Sequence, residues 1–311
     1  MLKSPKASLS YNDKQRKYGE SIVHVGGETA MPFPKLRNND MSKPYHLFKY
    51  HHRQGDNFTI IAHRGASAYY PENTLPSFEG AMALGADMVE FDVLVTSDKE
   101  VVVFHDEKIS RCTDRRGKIA DYTLAQLKKL DAGSWFDKKF KNTRIPTLAE
   151  ALDICKNKIA VNIEIKTEAV SRMISGGIEE KCLKIVEQSG MRRHVVFSSF
   201  DPRAIMHLKR IDDTAAVAVL FEKKFYGSRL PSEVMDSVGA DAFNCSAAEL
   251  NKTRFRDIQT NKIPVNIYTV NDRKNMKKFL DMDVNGIFTN KPDILKKVLN
   301  EKQKGSEDRR Q

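Results

Sequence analysis

Residues 87–105 read DMVEFDVLVTSDKEVVVFH. Two β-branched, apolar runs, 87–95 and 100–105, stand on either side of the short connection TSDK. A parallel crossover needs a dozen or more residues, so these runs must form a hairpin or a bend. In the first run Glu90 and Asp92 are two apart and leave the same face of a strand, while Val89, Phe91 and Val93 take the other. With Val95 paired near Glu100, the hairpin returns His105 beside Glu90.

Outward from this stretch, short strand-like runs alternate with helical text. FTIIA at 58–62 precedes TLPSFEGAMALG at 74–85, where Asn73 or Thr74 can cap a helix and Pro76 is tolerated in its first turn. Later strand candidates at 158–166, 194–199, 214–221, 241–246 and 263–270 are each followed by a helical candidate, and the series ends with GIFT at 286–289. Nine strands result where a closed barrel takes eight, so one arm of the hairpin is additional. The uninterrupted apolar strands predict a parallel sheet covered by helices, an α/β fold of the (β/α)8 TIM-barrel type. A doubly wound open sheet is the alternative. It lacks its usual nucleotide loop, because His63-Arg64-Gly65-Ala66 is no GxGxxG and no GxxxxGK[ST] occurs.

The chain has 311 residues, 40% of them apolar, enough for a barrel of about 240 residues with flanking segments. Residues 1–56 are polar and basic and read as an extension, partly disordered or packed on the barrel. Residues 57–295 read as the barrel, with 106–145 inserted after the hairpin, and 296–311 as a charged, frayed tail. Of the net charge of +11, +5 lies in 1–56 and +3 in 291–311. Placed on the flanks, that excess argues against nucleic-acid binding as the main role. Four scattered cysteines form neither a disulfide framework nor a zinc ribbon. No signal-peptide pattern and no 18-residue apolar run is present, which predicts a cytoplasmic protein without a membrane span. Tyr45, His46, Tyr50, His51 and His52 match no tight metal spacing and read as surface. The oligomeric state is left open.

The strand at 158–166 repeats the polar face of the first, with Asn162, Glu164 and Lys166 on one side. In a barrel that side is the lumen, and the C-terminal ends of the strands form the floor of the active site. Three converging carboxylates are costly to bury without a cation, so Glu90, Asp92 and Glu164 suggest a hard divalent ion held through oxygen, Mg²⁺ or Ca²⁺. An internal salt-bridge cluster with Lys166 is the plainer alternative. His63 and His105 close their strands. Either they are satisfied structural residues, or they move protons as a base and an acid. Arg64 adds a planar cationic fork suited to phosphate oxygens. The inventory describes phosphoryl chemistry better than sugar chemistry, which uses two carboxylates without metal.

HRG at 63–65, PENT at 71–74, EFDV at 90–93, HD at 105–106 and EIK at 164–166 together resemble the glycerophosphodiester phosphodiesterase family. TDRRGK at 113–118, IPTL at 145–148, FSSF at 197–200 and GIFTN at 286–290 agree, so the resemblance spans about 58–295. It implies a TIM barrel that hydrolyses glycerophosphodiesters to sn-glycerol 3-phosphate and an alcohol. By resemblance, Glu90, Asp92 and Glu164 match the metal ligands, and His63 and His105 the general base and acid. Arg64 matches a phosphate contact, and Lys166 lies beside phosphate and metal. The family also implies attack by the glycerol 2-hydroxyl and a cyclic phosphate that water opens. Where the family often has tryptophan, this chain has Tyr268, which bears on head-group selectivity. DAGSWF at 131–136 reads either as a wall over the substrate or as a hydrophobic anchor of the insert through Trp135. Two rivals stay open, an enzyme cleaving lysophospholipids and a catalytically silent barrel used for binding.

Overall fold

The computed structural model describes residues 58–307, with backbone alone for the last two. The readings of residues 1–56, including the tyrosine–histidine cluster at 45–52, fall outside the described residues. Nine strands form one sheet: β1 Thr59–His63, β2 Met88–Val95, β3 Val101–Val103, β4 Ala160–Ile165, β5 Val195–Ser199, β6 Val217–Leu220, β7 Ala242–Ser246, β8 Val265–Tyr268 and β9 Gly286–Thr289. Around them lie α1 Leu75–Ala83, α2 Leu148–Cys155, α3 Ile178–Ser189, α4 Pro202–Ile211, α5 Pro231–Val238, α6 Lys252–Asn261, α7 Arg273–Asp281 and α8 Pro292–Glu307. The order β1-β9-β8-β7-β6-β5-β4-β2 closes through parallel pairing of β1 with β2. β3 hangs on β2 as an antiparallel ninth strand. The result is the eight-stranded parallel barrel expected, with the hairpin arm outside the count.

The hairpin register differs from the expectation by one residue. Val95 pairs with Val101, not Glu100. Lys99 adopts a positive φ of 67°, and Thr96 closes the turn by donating its N–H to Glu100 O at 3.0 Å. The Thr96 hydroxyl also accepts from Glu100 N–H at 2.9 Å. A turn followed by a left-handed residue absorbs one residue more than the spacing suggested. Phe104 N–H then bonds Asp92 O at 3.0 Å, which puts Phe104 opposite Asp92, one residue from the expected register.

Two faces of each strand build two cores. The outward face of β2, Val89, Phe91 and Val93, is fully buried under the helices, with Phe91 tilted against Phe78 of α1 at 5.2 Å between centroids. The lumen floor is apolar and tapers on small residues, Ala160, Ala216, Ala218 and Ala242 beside Ile61 and Phe288. Above it lies a polar layer in which Ser198 donates to Asn162 at 2.7 Å and Asn266 to Asn244 at 2.9 Å. Gly286 makes room for that layer, since a Cβ there would sit 2.6 Å from Asn266 Oδ1 and 2.9 Å from Thr59 O.

The insert is a folded piece with its own apolar cluster, joining Ile109, Cys112, Ile119, Leu127 and Ile145 to Leu94 and Phe104 of the hairpin. α2 follows it at a reciprocal Thr147–Glu150 capping box, the T-x-x-E signature of a helix start. The segment read as a tail from 296 continues as α8 to Glu307. Leu295 and Val298 are buried, and Glu301 pairs with Arg273 of α7. An apolar stripe under the charged surface holds it to the barrel.

Candidate active site

His63 ends β1, and the next two residues, Arg64 and Gly65, turn with φ of 57° and 80°. Only glycine fits the second place, because a Cβ would lie 2.7 Å from the Ser77 carbonyl oxygen. The turn points the Arg64 N–H at Glu90 Oε2, 2.8 Å away. It folds the guanidinium over the mouth, where NH1 donates to Glu72 at 2.9 Å and Nε stands 3.5 Å from Asp92 Oδ2.

β2 and β4 are parallel in a register that pairs Asp92 with Glu164 and Glu90 with Asn162. Glu90, Asp92 and Glu164 are all buried, and a ligating oxygen from each lies within 4.8 Å of the others. Lys166 Nζ donates to Glu164 at 2.7 Å and stands 3.3 Å from Asp92 Oδ1. Asn73, held at φ 57°, donates to Asp92 Oδ2 at 2.8 Å and accepts from its N–H at 3.3 Å. Burial works to raise Asp92, but Lys166 and Arg64 outweigh it and hold its carboxyl below the usual range. Glu90 forms no ion pair among the described residues, and burial together with Asp92 and Glu164 pushes it well above its ordinary value. Burial also raises Glu164, against the pull of Lys166. A salt-bridge cluster therefore accounts for Asp92 and Glu164 but leaves Glu90 uncompensated. Asp92 Oδ1 is buried without a hydrogen-bond donor. An all-oxygen donor set with an excess of buried negative charge fits a metal ion of the hard divalent kind.

The two histidines are supported differently. His63 Nδ1 lies 2.8 Å from Asn290 Oδ1 at the end of β9. An amide oxygen only accepts, so Nδ1 carries the proton and Nε2 is the basic nitrogen. Burial, reinforced by the Arg64 charge, lowers His63 to about 4, so the ring is neutral at pH 7. His105 Nδ1 instead lies 2.5 Å from the Asp106 carboxylate.

His63, Arg64, Glu90, His105, Glu164 and Lys166 share one cavity of about 200 Å³, which also has Tyr268 in its wall. Asp92 lies behind it, within the carboxylate cluster. All eight predicted site residues therefore meet at one end of the barrel. The Tyr268 hydroxyl is turned away, donating to Phe221 O at 2.7 Å, so the ring is what the cavity meets. No residue of 131–136 lines that cavity. Trp135 donates its indole N–H to Ala132 O at 2.9 Å and packs edge-on against Phe136, but it is exposed and stands outside the apolar cluster of the insert.

Residues 63–294 match the family described as glycerophosphoryl diester phosphodiesterase. The chain belongs to that family. A glycerophosphodiester phosphodiesterase of Caldanaerobacter subterraneus is 34% identical over 237 residues, covering 76% of this chain and 95% of that protein. One from Bacillus subtilis is 33% identical over 261 residues, covering 78% and 87%. Among solved structures, an Oleispira antarctica phosphodiesterase in complex with the product sn-glycerol-3-phosphate aligns with a TM-score of 0.69 at 27% identity, covering 78% of this chain and 97% of that one.

Within the family motifs, several supporting residues escaped the sequence reading. Asn73 and Glu72 sit in PENT, Asp106 in HD and Asn290 in GIFTN, all quoted without a role of their own. Arg111 belongs to no quoted motif. Asn290 meets a partner 227 residues away and Arg111 one 39 residues away, whereas Asp106 stands next to His105 in the chain.

Proposed function

We propose that the protein hydrolyses glycerophosphodiesters to sn-glycerol 3-phosphate and an alcohol at this barrel mouth, with His63 as general base and His105 as general acid. The observation that carries the reading is the pair of imidazoles in one cavity with three buried carboxylates, Arg64 and Lys166. A neutral ring whose Nε2 is free suits proton abstraction, and a carboxylate against the other ring suits the group that donates. His63 would take the proton of the glycerol 2-hydroxyl as that oxygen attacks phosphorus. His105 would protonate the departing alkoxide, leaving a cyclic phosphate that water then opens. Holding the hydroxyl against phosphorus supplies proximity without a protein nucleophile. Glu90, Asp92 and Glu164 would hold one divalent cation, Mg²⁺ or Ca²⁺, which supplies Lewis-acid stabilisation of phosphoryl oxygen charge. Arg64 and Lys166 add fixed positive charge at the same oxygens. Among the described residues no helix is long and apolar enough to cross a membrane, and a cytoplasmic location agrees with a small soluble substrate.

The test is turnover of glycerophosphocholine, glycerophosphoethanolamine and lysophosphatidylcholine with Mg²⁺ or Ca²⁺, with products read by phosphorus NMR. Glycerol 3-phosphate from the first two supports the proposal. Phosphocholine as the product, or turnover of the lipid alone, would refute it.

A further inference from the structure

Between His105 and Arg64 runs a chain of charged groups, of which Arg111 and Glu72 have no part in the proposed chemistry. The Asp106 carboxylate faces His105 Nδ1 with Oδ1, at 2.5 Å, and accepts from Arg111 Nε with Oδ2, at 2.6 Å. Arg111 then donates NH1 to Glu72 Oε2 and NH2 to Glu72 Oε1, both at 2.8 Å. Glu72 Oε1 also accepts from Arg64 NH1 at 2.9 Å. All three nitrogens of Arg111 and all four carboxylate oxygens are engaged. Arg111 closes a short turn, Ile109–Arg111, whose neighbours Ile109 and Cys112 are buried in the separate core of the insert. That core therefore fixes a guanidinium between two carboxylates, each of which holds one member of the candidate active site.

We propose that Arg111 is a positioning residue: an ionic strap, His105–Asp106–Arg111–Glu72–Arg64, that locks the acid histidine and the phosphate-facing arginine in one frame. Three planar donors meeting two carboxylates define an orientation that a single ammonium cannot reproduce. Arg111 is 44% exposed, so its value lies in geometry more than in the strength of the ion pairs. The inference rests on the roles proposed for His105 and Arg64.

The experiment compares Arg111→Ala and Arg111→Lys with wild type on glycerophosphocholine, alongside thermal melts and calorimetric binding of sn-glycerol 3-phosphate. The expected result is a kcat about 10–100-fold lower in both variants, in the range seen when an orienting partner is lost. KM should stay within about threefold, melting should show a cooperative fold, and added guanidinium should restore the alanine variant, a rescue that a folding defect would not show. If Arg111→Ala does not fold, Glu72→Gln and Asp106→Asn decide in its place. Joined through Arg111, their effects on kcat should be non-additive by about threefold or more, whereas additive effects overturn the strap. Wild-type kcat in Arg111→Ala together with a dead His105→Ala overturns the strap alone. Full turnover by His105→Ala overturns the proposed function beneath it.

Discussion

The mouth of the barrel has two unlike halves. Around β1 to β4 the side chains that line the cavity are charged or titratable, His63, Arg64, Glu90, His105, Glu164 and Lys166, with Asp92 behind them. From β5 to β9 the same cavity is lined by Ser198, Phe200, Leu220, Tyr268 and Phe288, with Phe200 and Phe288 set edge-on to the Tyr268 ring. Repeated βα units build both halves, and the charged half adds the β2–β3 hairpin and the insert, so the halves differ in side chains and in that addition. A neutral wall keeps the dielectric low opposite the charges, which strengthens every interaction with a developing phosphoryl charge. Under the proposed function the charged half would carry the reaction and the neutral half would meet the organic part of the substrate.

The largest test of that division removes a proposed proton carrier. His63→Ala or His105→Ala should lower kcat by about 10²–10⁴-fold, whereas Tyr268→Ala on the neutral wall should act mainly on KM. Equal losses of kcat on both sides would dissolve the distinction. Removal of divalent cations with a chelator should abolish turnover, and Mg²⁺ or Ca²⁺ should restore it. Because Glu90 is held well above its ordinary value without a cation, metal binding should release a proton and weaken as pH falls. Calorimetry in two buffers of different ionisation enthalpy reads this directly, and a binding heat independent of buffer would contradict it.

A smaller loss, about tenfold or more in kcat, is expected for Asn290→Leu, which removes the acceptor that sets the His63 tautomer. In the metal-free protein His63 should stay neutral down to about pH 4. An unfolded histidine takes its proton near 6.5, so this group makes the fold lose stability as pH drops from about 6.5 towards 4. An NMR titration of the ring checks both statements, and a midpoint near 6.5 would remove the case for a desolvated base. The mildest change is Tyr268→Phe, which deletes a hydrogen bond to Phe221 O and should cost about 0.5–1.5 kcal/mol by chemical denaturation. Its kcat should be nearly that of wild type, since the hydroxyl faces away from the cavity.

Much of this was legible along the chain. A carboxylate in the middle of an apolar strand is conspicuous, and period-two alternation says which residues share its face. For that reason Glu90, Asp92, Glu164 and Lys166 could be named before any coordinates. The hairpin was legible because four residues cannot carry a parallel crossover. Its register was not, because it turned on Lys99 taking a positive φ, a conformation that no local pattern requires of lysine.

By itself, then, the sequence determined the strand-and-helix alternation and the additional hairpin arm, since each follows from local periodicity, and it named the candidate site residues through residue chemistry and family resemblance. Only the tertiary structure decided which groups support them. Asn290 reaches His63 because β9 lies beside β1 in the closed barrel. Arg111 reaches Glu72 because the insert folds on its own core beside the mouth. Hydrogen bonds of this kind join residues that are neighbours only after closure, so their spacing along the chain carries no signal.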